Sequence, residues 1–214
     1  MQDRTKQSNR AGRPRKFDEA EALGKMSRHL WTTGLSGTSL DGIARSAGLN
    51  RPSLAAAFGD KDAIYARAAS NYAAMMDDRI GRALAADNLR SALVAAFEMA
   101  IDIYTTEGPD GCFVICTAPA DARTNPVCAT VLGQSIEAID TMFLRRLEKE
   151  QCGAPPNQGD LSALAALLGA TLHSLALRAR ANWSREKMRL LAVGVVNLVM
   201  AMLTHNPLAN SEST

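Results

Sequence analysis

Apolar residues recur along this chain with a helical period rather than a strand period. Leu23, Met26, Leu30 and Trp31 fall at the spacing of one helix face. Asp18 followed by Glu21 has capping-box spacing, and Gly34 suits the residue just past a helix end. Thr38-Ser-Leu-Asp41 is a second capping-box-like start, and Gly48 keeps the helix it opens short. Asn50-Arg51-Pro52-Ser53 opens a third helix, because proline is tolerated in a first turn. Phe58-Gly59-Asp60 closes it, and Asp60 can cap a fourth helix running through Ile64, Tyr72 and Met76 to about residue 85.

A fifth helix is predicted over about 88–107. Leu89, Leu93, Phe97, Ala100, Ile101 and Tyr104 share one face, and Met99 and Ile103 widen the apolar arc past half the circumference. A helix apolar over so wide an arc packs on more than one side. Gly108-Pro-Asp-Gly111 reads as a turn, and 112–118 as a short apolar piece ending near Pro119. Helices over about 126–149, 160–182 and 184–204 follow, with a Pro-containing loop at 153–159. The expected fold is all-α: a three-helix helix-turn-helix domain at 17–72, then a helical body at 73–207. Residues 1–16 read as a flexible arm and 208–214 as a disordered tail.

Composition agrees. Of 214 residues 47% are hydrophobic but only 5% aromatic, and the apolar mass is mostly Ala, Leu, Met and Val. Good helix formers dominate, which disfavours an all-β or doubly wound fold. The net charge of +2 hides an asymmetry. Residues 1–16 hold six bases and one acid, a net of +5, while the other 198 residues net −3. A basic arm on a slightly acidic body points to a polyanionic partner. The polar N-terminus has no apolar core of a secretory signal, so a cytoplasmic location with reduced thiols is expected for Cys112, Cys116, Cys128 and Cys152. Residues 161–177 and 190–203 carry no charge. The first sits at the lower edge of membrane-spanning length and the second is too short. Packed helices of a core or dimer interface are expected, without a membrane partner.

Residues 38–58, TSLDGIARSAGLNRPSLAAAF, combine a capped short helix, a turn at Gly48 and a second short helix. Leu40, Ile43, Ala44, Leu49, Leu54 and Phe58 are placed to form a small core, and Gly48 suits a positive φ. The second helix would expose Asn50, Arg51, Ser53, Ala56 and Ala57, and a helix with small side chains can lie deep in a major groove. The stretch GLSGTSLDGIARSAGLNRPSLAAAFGDKDAIYARA resembles the DNA-binding domain of TetR-family transcriptional regulators, strongly over about residues 18–72.

The resemblance implies a ligand-responsive repressor that binds a palindromic double-stranded DNA operator as a homodimer. Thr38, with Ser39 beside it, matches a helix N-terminus that contacts phosphate, and Lys61 matches a second phosphate contact. Asn50, Arg51 and Ser53 fall where the family's recognition helix meets bases and backbone. The chain departs from the family at Ala55, usually Tyr, and Ala57, often His, which leaves the helix poor in polar readout. Arg13 and Arg15, within Gly-Arg-Pro-Arg, suit a narrow A·T minor groove and would compensate. A small-molecule effector is expected against Phe97, Ile101, Tyr104, Phe113, Cys116 and Met142. Leu168, Leu172, Leu175, Val195, Leu198 and Met202 are expected to form the dimer interface, two helices from each subunit making a four-helix bundle.

Weaker constellations remain. Cys112 and Cys116 would share a helix face, with Cys128 on the next helix, a set that could bind a metal or sense oxidants, but without a Cys-x-x-Cys pair the thiols read as small buried hydrophobes. His173, in an apolar helix, either lines a pocket or satisfies a core hydrogen bond, and the second is favoured. No catalytic or nucleotide-binding motif is present, so neither enzymatic activity nor a cofactor is expected. The competing readings are a helical small-molecule-binding protein and a membrane-associated helical hairpin, both without operator-specific DNA binding.

Overall fold

The described residues fold as α1 (Glu19–Thr33), α2 (Leu40–Ser46), α3 (Arg51–Phe58), α4 (Lys61–Leu84), α5 (Leu89–Thr106), α6 (Phe113–Asp121), α7 (Pro126–Glu150), α8 (Gln158–Arg180) and α9 (Arg185–Thr204). The structure is a computed structural model and describes residues 17–150 and 158–204. The basic arm, Cys152 and the 208–214 tail lie outside the described residues.

Local chemistry sets the helix starts. The side chains of Asp18, Asn50, Asp60 and Asn88 accept hydrogen bonds from backbone N–H groups in the first turns of α1, α3, α4 and α5. Gly34 and Gly48, at φ 70° and 68°, take the left-handed conformation that ends α1 and turns α2 into α3. The cap of α2 is Ser39, which accepts from Gly42 N at 3.1 Å, and not Thr38 as the capping-box spacing suggests. Thr38 is engaged elsewhere: its hydroxyl lies 2.6 Å from Nε2 of His29.

Ile43, Ala44, Leu54 and Phe58 are buried and Leu40 and Leu49 pack against them, so the small core is built from the residues expected. It continues through α1 into α4 by way of Met26, Leu30, Ile64 and Tyr65. The 72/73 boundary falls inside α4, which runs unbroken from the N-terminal unit into the body. In the body, α5 packs against α4, α7, α8 and α9. That many neighbours explains its wide apolar arc, with Leu93, Phe97, Ile101, Ile103 and Tyr104 all within 1% exposure.

The short apolar piece does not stop near Pro119. Helix α6 continues through it to Asp121. Pro119 is exposed, and the turn beyond it is fixed from outside: the Asp121 carboxylate accepts from Ser36 N at 3.1 Å and from the Ser36 hydroxyl. This buried aspartate joins α6 to the loop between α1 and α2. Further bonds tie the N-terminal unit to the body: the Tyr65 hydroxyl lies 2.8 Å from that of Thr117, Asn125 Nδ2 donates to the Asp62 carboxylate at 3.1 Å, and Arg180 Nη2 donates to Trp31 O at 3.0 Å.

Among the described residues three helices are long and apolar enough to cross a membrane: α7, α8 and α9. The sequence pattern singled out segments within the last two alone. All three pack within the helical bundle, α7 on α8 and α6, α9 on α5 and α8. Half of the most apolar stretch of α8 is buried inside this single chain, but only 22% of that of α9.

Candidate DNA-binding surface and effector pocket

Helix α3 turns Leu54 and Phe58 into the core and leaves Arg51, Pro52, Ala55 and Ala56 exposed, with Ser53 and Ala57 half-buried. Asn50 Oδ1 is committed to capping, accepting from Ser53 N at 2.8 Å, so its amide nitrogen is the atom left for another partner. Arg51 faces Asp41 across 3.7 Å of solvent-exposed surface, a pairing weak enough to be exchanged for phosphate. Phe17 stacks on Phe58, with centroids 6.2 Å apart, and the Arg67 guanidinium lies over the Phe58 ring, 4.9 Å from its centroid. The chain therefore enters the domain beside the C-terminal end of α3. Arg13 and Arg15 precede that point and lie outside the described residues.

Lys61 opens α4 and reaches back under the α1–α2 loop. Its Nζ donates to Leu35 O at 2.8 Å and to Thr38 O at 3.2 Å. Thr38, Ser39 and Lys61 are thus brought together at the start of α2, and Thr38 is held by His29 on one side and Lys61 on the other. Gly42 belongs to the same cluster, since a Cβ there would lie 2.9 Å from the Thr38 hydroxyl. His29 and Gly42 were not singled out from the sequence. Nothing in their local pattern marks them, because the contact joins α1 to α2 across nine residues.

A pocket of about 570 Å³ opens between α4 and α7. Exposed Ser70, Asp77, Thr130 and Gln134 mark its mouth, and its floor comes from α5, α6 and α8. Of the six residues expected against an effector, Tyr104 and Met142 line this pocket. Phe97, Ile101, Phe113 and Cys116 do not. Phe97 and Ile101 are consumed by the core around α5, Phe113 packs among Trp31, Tyr65 and Tyr72, and the Cys116 thiol turns toward Ala176 O at 3.8 Å. Tyr72, Met76, Cys112, Val114 and His173 take their places. His173 Nε2 has no hydrogen-bond partner, so the core hydrogen bond favoured for it is absent. Burial lowers the His173 pKa and pushes the Cys112 thiol up to about 11. Cys112 is the N-cap of α6 rather than a helical neighbour of Cys116.

The residues expected at the dimer interface divide. Leu168, Leu172 and Leu175 are buried within the chain, and Leu172 reaches the pocket. The outer face of α8 carries Ala163, Leu167, Ala170 and Leu177 instead. A helix apolar all round has no preferred side in its pattern, and the phase was set by α5 and α7 packing on it. On α9, Leu198 and Met202 are 62% and 59% exposed, Leu190 is 69% exposed and Val195 is half-buried.

Residues 27–68 match the family model of bacterial regulatory proteins, tetR family. The HTH-type transcriptional repressor ComR of Escherichia coli K12 is 26% identical over 186 residues, spanning 85% of this chain and 88% of that protein. Among solved structures, a cysteine mutant of the TetR-family regulator CifR in complex with 26-base-pair operator DNA superposes with a TM-score of 0.74 at 24% identity. It covers 86% of this chain and 98% of its own. A transcriptional regulator from Rhodococcus sp. RHA1 gives 0.69 at 20% identity, covering 86% and 97%. These structures share the fold. Each joins an N-terminal helix-turn-helix through a long helix to an α-helical body, as this chain does. The chain is thus similar to tetR-family regulators in sequence over residues 27–68, and to solved members of that family in fold over most of its length.

Proposed function

We propose that the protein is a cytoplasmic transcriptional repressor that binds a palindromic operator as a homodimer and releases it when a small molecule fills the α4–α7 pocket. The observation that carries this is α3: a short helix with Pro52 in its first turn, whose exposed face beyond Arg51 carries only Pro52, Ala55 and Ala56, with the Thr38–Ser39–Lys61 cluster beside it. A helix of that shape enters a major groove while the cluster meets the phosphates. Dimerisation rests on the exposed apolar faces of α8 and α9, which two copies would cover as a four-helix bundle. Release requires that the ligand favour one arrangement of the two heads over the other. Asp121 supplies a route, since α6 borders the pocket at Cys112 and Val114 and its other end holds the α1–α2 loop.

Selection of binding sites from random duplex by the full chain tests the reading. Palindromic sites bound at least about 10³-fold more tightly than random duplex at matched salt are expected. A·T-rich flanks are expected if Arg13 and Arg15 enter the minor groove. Binding that is equal on all sequences would remove the operator from the proposal.

Lys61→Ala should weaken binding to operator and random duplex alike and lower the salt slope by about one per head, as for a phosphate contact. It should also cost about 1 kcal/mol of stability, because two loop carbonyls lose their donor. A changed base preference at one operator position would show that Lys61 acts otherwise.

A further inference from the structure

Four buried side-chain polar atoms among the described residues lack a hydrogen-bond partner, and three of them line the α4–α7 pocket: the Tyr72 hydroxyl, the Tyr104 hydroxyl and His173 Nε2. Native folds leave few such groups, and each one costs stability unless something fills it. Their gathering in one cavity, on three different helices, is what a site shaped for a ligand's polar end looks like.

The chemistry of the cavity narrows the ligand. Tyr72 and Tyr104 both neighbour the Cys112 thiol. Burial first, and then these neighbours, push both phenols well above their ordinary pKa, so both remain O–H groups able to donate. Burial keeps His173 uncharged at neutral pH. Among the described residues no lysine or arginine lines the cavity, and the one carboxylate there, Asp77, stands at the exposed mouth. An anion would enter without a counter-charge and pass Asp77. The remaining floor, with Met76, Val114, Ile139 and Leu172, is apolar.

We propose that the pocket takes an uncharged, largely apolar molecule whose oxygen acceptor, a carbonyl or hydroxyl, is held by the O–H groups of Tyr72 and Tyr104. This rests on the reading of the pocket as the effector site and assigns that effector a chemical class. Binding such an oxygen gives the Tyr104 hydroxyl a partner and offers the Tyr72 hydroxyl a stronger acceptor than the Cys112 thiol it faces, which a hydrocarbon of the same shape cannot do.

A matched set of probes on one skeleton tests it: benzophenone, diphenylmethane and 4-benzoylbenzoate, measured by equilibrium dialysis against the full chain at pH 7.5. Benzophenone is expected to bind about tenfold more tightly than diphenylmethane, although the hydrocarbon leaves water more readily, and more tightly than the anion. The Tyr72→Phe/Tyr104→Phe double variant should lose this preference while still binding diphenylmethane. Its melting curve reports whether it is folded, and the wild-type comparison decides the matter without it. Diphenylmethane binding wild type as well as benzophenone, a preference that survives in the folded double variant, tightest binding of the anion, or no binding of any probe would each overturn the inference. Operator affinity with and without benzophenone is read separately. Tyrosine-dependent binding that leaves operator affinity unchanged would sink the effector reading and leave the inference standing.

Discussion

Leu198→Asp should turn the protein into a monomer that no longer holds its operator. Leu198 is 62% exposed on α9, where it lines up with Leu190, Gly194 and Met202 at four-residue steps. The exposed positions of α8, Ala163, Leu167, Ala170 and Leu177, fall at steps of four, three and seven residues, the heptad spacing of a coiled-coil seam with half-buried Ser174 between the last two. Two copies placed face to face about a two-fold axis would bury both stripes, and each substitution would then enter the interface twice. An unpaired carboxylate buried there costs several kcal/mol, so association should weaken by at least about a hundredfold. The monomer itself should melt much as wild type, because Leu198 contributes little to the core of a single chain. Leu168→Asp supplies the contrast. That residue is fully buried on the opposite side of α8, so the charge should unfold the chain rather than separate two folded copies. Sedimentation velocity and circular dichroism distinguish the outcomes. A dimeric Leu198→Asp protein with normal operator affinity would move the interface away from α9.

The pattern of helices was legible because caps and turn residues act locally. Asp18, Asn50 and Asp60 each need only their own first turn to be recognised, and Gly34 and Gly48 only their own φ. The helix-turn-helix core followed, since Ile43, Ala44, Leu54 and Phe58 lie within fifteen residues. What failed was anything decided by a second element. Leu168, Leu172 and Leu175 look interchangeable with Leu167 and Leu177 in a helix without a polar side, and only packing chooses between them. The pocket likewise joins Tyr72 to Tyr104 and His173 across a hundred residues of chain. Aromatic residues on one face of α5 were the visible signal, but a helix surrounded by four others spends that face on the core. Val114 and Cys112 became pocket residues because Gly111, at φ 89°, turns the chain into α6. A Cβ on Gly111 would come within 2.6 Å of Ala176 O, so α6 enters tight against α8.

Arg146 shows the same limit most sharply, and its replacement should cost the body of the protein more than any change on its surface. In the run Leu144-Arg-Arg-Leu-Glu-Lys-Glu150, Arg145 and Arg146 read alike, as solvated charges near the end of a helix. Arg145 is exposed, whereas Arg146 is 6% exposed. Its guanidinium closes the C-terminal end of α4: Nε donates to Leu84 O at 3.0 Å, and Nη2 to Ala86 O at 3.2 Å and Asp87 O at 3.4 Å. Nη1 meets Glu150 at 2.9 Å. A cation at this position satisfies carbonyls that the helix leaves unpaired and opposes the negative end of its dipole. Arg146→Met keeps much of the apolar stem but leaves those carbonyls without a donor, at a cost of about 3 kcal/mol. At roughly 2–4 °C per kcal/mol for a chain of this size, the melting temperature should fall by about 6–12 °C. Arg146→Lys should recover only part of this, because a single ammonium cannot spread over carbonyls that the planar fork reaches together. Arg145→Met, one residue away, should leave the melting temperature within about 2 °C of wild type. If the two methionine variants melted together, the guanidinium would not be the clasp between α4 and α7 that its hydrogen bonds describe.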